Sequence, residues 1–139
     1  MHPRRKFIEL VGLAFGACIC LQADPAYAGS YLRRAAVLLK GGTVEAKAMR
    51  ARFHDRELAK LTHRLALARA RAARDMMVPQ EVNLAHPHLL LVLEAYERAS
   101  DGASRGEHET MLLALAKARE ESHIFLALLK QSGWTLPEL

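Results

Sequence analysis

The side chains best equipped for chemistry in this sequence are its histidines. Six lie beyond residue 28: His54, His63, His86, His88, His108 and His123. Neutral imidazole binds copper or zinc, and a thioether or carboxylate at the same level completes such a site. His86 and His88 stand two residues apart, Met76 and Met77 lie just upstream, and Glu120 is one helical turn from His123. If these segments are antiparallel helices rising ~1.5 Å per residue, residue 123 returns to the level of residues 86 and 88. The spacing therefore predicts a metal site built from His86, His88, His123 and Glu120, with copper or zinc as the candidate cofactor.

Other chemistry has less to stand on. Of Ser30, Ser100, Ser104, Ser122 and Ser132, only Ser122 adjoins a histidine inside a helical segment, and adjacent helical residues point ~100° apart. No segment reads as a strand, so no glycine-rich phosphate loop follows one. Glu120-x-x-His123 resembles the Glu-x-x-His element of ferritin-like di-iron bundles, which would imply iron. That family needs the element twice with further inward glutamates, and a second copy is missing. His54 and His108 fall on apolar stripes but about 10 Å apart along the expected hairpin, too far to share a haem iron. No nucleophile or acid–base pair meets the geometric requirements of catalysis, so the sequence reads as a non-enzyme.

The elements that must position these groups are helices. Half of the 139 residues are hydrophobic but only 6% are aromatic, and the apolar content is mostly alanine and leucine, which suits helix-on-helix packing. A short helix is expected over 30–40, ended by Gly41-Gly42. Thr43 would cap a second helix with no breaker until Pro79, about 35 residues long. Its core face would be Ala51, His54, Leu58, Leu61, Leu65, Ala68, Ala72 and Met76, which recur at steps of three and four. Pro87 opens a third helix, which stops near Asp101-Gly102. Ser104 and Glu107 form a capping box for a fourth, which Gly133 closes. Met111, Leu115, Ala118, Phe125 and Leu129 would be that helix's inner face.

Charge divides the chain. Residues 30–74 carry twelve Arg or Lys and three Asp or Glu, a net of +9, whereas residues 75–139 carry five and ten, a net of −5. Arg52, Arg56, Lys60, Arg64, Arg71 and Arg74 gather opposite the expected leucine stripe, a face suited to an acidic protein partner or an anionic membrane surface. Nucleic acid is not expected, because the face lacks interleaved aromatics except Phe53. The long second helix could equally serve a homodimer.

The chain opens like an export signal. Arg4, Arg5 and Lys6 precede a weakly apolar stretch over 8–21, Asp24-Pro25 breaks it, and Ala26-Tyr27-Ala28 offers small residues at the two positions a signal peptidase reads. Arg4-Arg5-Lys6-Phe7-Ile8 resembles the twin-arginine export motif, departing from it at Pro3 and Glu9. The resemblance implies export of a folded protein. Cleavage after Ala28 would leave a periplasmic or secreted chain beginning at Gly29. It would also remove Cys18 and Cys20, and with them disulfides, thiolate metal sites and cysteine nucleophiles.

The sequence thus predicts an all-α protein: residues 1–28 a cleaved signal peptide, and residues 29–139 one small up-and-down four-helix bundle with an overlong helix. Its expected role is that of an exported interaction or accessory protein docking through the basic helix face. A metal-binding protein using the histidine cluster is the alternative.

Overall fold

A computed structural model describes residues 25–139. The Arg4-Arg5 motif, both cysteines and residues 1–24 of the expected export signal lie outside the described residues. Within them the chain forms four helices and no strand: α1 Pro25–Ala51, α2 Arg56–Arg74, α3 His86–Ser104 and α4 His108–Gln131, with a 3₁₀ turn at Gln80–Val82. No described helix is long and apolar enough to cross a membrane.

The first break falls elsewhere than expected. α1 runs straight through Gly41-Gly42, and the chain turns at residues 52–55 instead. The overlong helix over 43–78 is therefore two pieces belonging to different elements, and α1 is the longest helix. Thr43 does not cap; its hydroxyl donates back to the Leu39 carbonyl at 2.9 Å inside α1. The working cap is Asp55, whose carboxylate accepts the Leu58 amide at 2.9 Å and also pairs with Arg52 at 2.8 Å. This cap satisfies one of the orphan donors at the start of α2.

Two glycines inside a helix cost roughly 1 kcal/mol each relative to alanine. Their neighbours explain them. A Cβ on Gly42 would meet the Tyr96 ring at 2.5 Å, and one on Gly41 would meet the Arg69 guanidinium at 2.7 Å. The missing side chains let α3 and α2 press aromatic and cationic groups onto the α1 backbone. Arg69 then makes a two-pronged ion pair with Glu45 of α1, its Nη2 standing 2.6 Å from Oε1. Bidentate geometry of this kind is the strong form of the Arg–carboxylate pair.

The helix ends follow ordinary rules. Gly106 and Gly133 are the two described residues with positive φ, at 77° and 82°. Each closes a helix by the same pair of backbone bonds: Glu107 N to Gly102 O at 2.9 Å with Gly106 N to Ala103 O, and Trp134 N to Leu129 O at 2.9 Å with Gly133 N to Lys130 O. This is the Schellman arrangement. The capping box expected at Ser104 and Glu107 is absent, because α3 continues to Ser104, whose hydroxyl donates to the Asp101 carbonyl at 2.7 Å.

The main core joins all four helices. Phe125 and Leu129 of α4 pack with Leu89, Val92 and Leu93 of α3, Ala70 and Ala73 of α2, and Tyr31, Leu32 and Leu39 of α1. A smaller cluster around Met49, Ala59, Ala99 and Met111 fills the other end. α1 passes through the expected cleavage position, where Ala28 is buried at 1% exposure.

Candidate docking surface

At ~100° per residue, α2 divides into three sectors. The buried sector is Ala59, Thr62, Ala66, Ala70 and Ala73. The basic sector carries Arg56, Lys60, Arg64, Arg71 and Arg74, all exposed. The third carries Leu58, Leu61, Leu65, Ala68 and Ala72. This corrects the sequence reading: the leucine stripe does not face the core, since Leu61 is 53% and Leu65 41% exposed. The bundle takes the alanine face instead, because small side chains let α2 lie close against its neighbours. An amphipathic pattern identifies an apolar face without saying whether this chain or another covers it.

On α1, Val37 and Val44 are likewise more than half exposed. A cleft of about 420 Å³ lies between the two helices, lined by Val37, Leu38, Ala72 and Met76, with Arg33 and Arg34 on its α1 side. Apolar positions at alternating steps of three and four, bordered by cations, form a seam of the kind into which another amphipathic helix packs.

The six basic residues singled out in the sequence differ in their freedom. Arg52 pairs with Asp55, Lys60 with Glu57 at 3.1 Å and Arg74 with Glu94 at 3.7 Å. Arg56 lies beside Gly106, whose Cβ position is 2.7 Å from its guanidinium. Arg64 and Arg71 make no salt bridge among the described residues. They also stand nearest the leucine sector, within about 80° around the helix from Leu61.

The expected metal ligands do not converge. His86 is buried, with Nδ1 2.9 Å from the Tyr31 hydroxyl and the Ala73 backbone as a further partner. Desolvation holds its pKa below the ordinary histidine value, against the upward pull of the Ala73 bond. His88 turns to Glu121, Nδ1 to Oε2 at 2.6 Å. That contact confirms the antiparallel register, which does bring residue 123 to the level of residue 86. Azimuth separates them: residues 121 and 123 point ~200° apart on a helix, and His123 faces α1 instead. Glu120 is exposed, 4.0 Å from Lys117. Among the described residues no group of three or more His, Cys, Asp or Glu side chains is placed to hold a metal ion.

Glu121 is the carboxylate the sequence reading passed over. It is 4% exposed and bridges His88 and Lys117, whose Nζ is 2.9 Å from Oε1. The hydrogen bond from His88, then that from Lys117, holds its pKa below the ordinary carboxylate value. The same hydrogen bond and charge raise the pKa of Lys117. The signal was present: Met111, Ala114, Ala118, Glu121 and Phe125 follow steps of three and four, so Glu121 occupies a core position of α4.

Two further histidine contacts are structural. His63 Nδ1 lies 3.2 Å from the Ser100 hydroxyl, which donates to the Tyr96 and Glu97 carbonyls at 2.9 Å. A nucleophilic serine would instead give its proton to the imidazole. His54 and His108, expected on apolar stripes and far apart, are both exposed and both flank Phe53, at ring-centre distances of 5.4 and 4.4 Å. The turn at residues 52–55 carries Phe53 and His54 over the start of α4. No protein family matches the chain, and no curated protein or solved structure matches it either.

Proposed function

We propose that this protein is an exported helical interaction protein that docks an acidic amphipathic helix of a partner through the leucine and arginine sectors of α2. The observation that carries this reading is the exposure of Leu61 and Leu65 beside Arg64 and Arg71, on a helix whose other side is already buried. An anionic membrane surface shares the chemistry, but the cleft between α1 and α2 is a groove that a helix fills and a flat bilayer does not. The export part rests on Arg4-Arg5, the apolar stretch and Ala26-Tyr27-Ala28; finding Met1 or His2 at the front of the native polypeptide would overturn it.

The test is affinity capture of the native protein with its neighbours, compared with the double variant Arg64→Glu/Arg71→Glu. Capture that weakens with salt and is lost in the variant is expected. The same partners retained by the variant would end the docking reading.

A further inference from the structure

A second cleft, of about 210 Å³, lies on a different face, between the second half of α1 and α4. Three cations line it: Lys47 and Arg50 of α1 and Arg119 of α4. None of them makes a salt bridge among the described residues, and no carboxylate lines the cleft. The acids nearest in sequence on α4 are turned elsewhere, Glu120 to Lys117 and Glu121 to His88 and Lys117. All three are exposed, so water screens their mutual repulsion, and an anion seated among them would gain from each.

Beside the apolar Ala46 and Leu115, the lining has further polar groups that suit an oxyanion. Tyr96, Ser122 and His123 bring hydroxyl and imidazole groups to the same cleft. The Tyr96 ring is fixed there by Gly42, where a Cβ would collide with it, and its hydroxyl lies 3.4 Å from Thr43 Oγ1. The glycine that failed to break α1 thus seats an aromatic wall of this cleft.

We propose that this cleft binds the phosphate group of a small phosphomonoester, or inorganic phosphate itself. Two arguments select phosphate over a carboxylate. A phosphomonoester carries about −1.5 to −2 charge at neutral pH and offers three acceptor oxygens, a better match to three cations than a single negative charge. Arginine is suited to two-pronged phosphate contacts, with lysine acting as a point charge. The cleft, of about 210 Å³, takes a phosphate group, and because it is open to solvent the ester's tail can lead outward.

The experiment is calorimetric titration of the native chain with methyl phosphate, with acetate as the single-charge control, alongside flotation with vesicles containing phosphatidic acid. Saturable binding of methyl phosphate over acetate is expected, weakened about tenfold or more by Arg119→Gln and by Lys47→Gln and unchanged by Lys130→Gln, an exposed cation in the last turn of α4 that does not line the cleft. If the free ester fails but vesicle binding depends on Arg119 and not on Lys130, the phosphate is that of a lipid headgroup. Circular dichroism checks that each variant is folded. Absence of binding in both arms, equal affinity for acetate, or equal loss in Arg119→Gln and Lys130→Gln would overturn the proposal.

Discussion

The α3–α4 pair and the outer face of α1–α2 are built from similar apolar residues and treat them in opposite ways. Between α3 and α4, Leu89, Leu93, Phe125 and Leu129 are fully buried, and the one carboxylate in the seam, Glu121, is matched by His88 and Lys117. On the outer face, Leu61, Leu65, Val37 and Val44 stay in water while alanines take the inward positions of α2. The first region is finished by its own chain. The second spends its large apolar side chains where they add little to folding, and it is on this exposure that the proposed docking surface rests.

The widest separation between the two regions is in the cost of truncation. Phe125→Ala should destabilise by about 3–5 kcal/mol, read from urea or thermal unfolding of a two-state chain. If it unfolded with the native midpoint, the core assignment would be wrong. Gly42→Ala comes next. Alanine favours helix, but its methyl collides with Tyr96, so the net effect should be a loss of about 1–3 kcal/mol. A gain would show that α1 does not sit against that ring.

The polar seam can be separated by pH. Glu121 has a folded pKa below its unfolded value, so its contribution is present above the ordinary carboxylate range and is lost as pH falls through the depressed value. His86 is held neutral, so its burial is free of proton cost above its ordinary value of 6.5 and opposes folding increasingly below it. Stability should therefore decline in two stages on acidification. His86→Leu should remove the first stage and Glu121→Gln the second, in unfolding measured across pH. The smallest effect is on the outer face: Leu61→Ala and Leu65→Ala should each change stability by less than about 1 kcal/mol while weakening partner capture. Destabilisation equal to that of Phe125→Ala would make those leucines core residues and erase the comparison.

These differences explain what could be read without coordinates. Helix identity, the Pro87 start, the Gly133 stop and the register that brings residue 123 to the level of residue 86 were legible, because they depend on local chemistry and chain length. The break at 52–55 was not, because Gly41-Gly42 is the stronger local signal and only the distant Arg69 and Tyr96 give it another use. The leucine stripe of α2 was visible as a stripe, but periodicity carries no information on which of two candidate faces meets the bundle. The metal ligands failed on azimuth rather than on level. Glu121 was missed because a carboxylate in an apolar rhythm is easily passed over, although Lys117 stands four residues before it and His88 lies opposite.

The sole tryptophan has a practical use. Trp134 follows the Schellman turn of α4 and is half-buried against the main core, with the last residue of the chain held to Lys40 of α1 at 3.3 Å. As the one indole of the sequence, it reports the surroundings of this terminal segment. A red shift that precedes the loss of helical signal on heating would mean that the tail lifts away first, before the four rods separate.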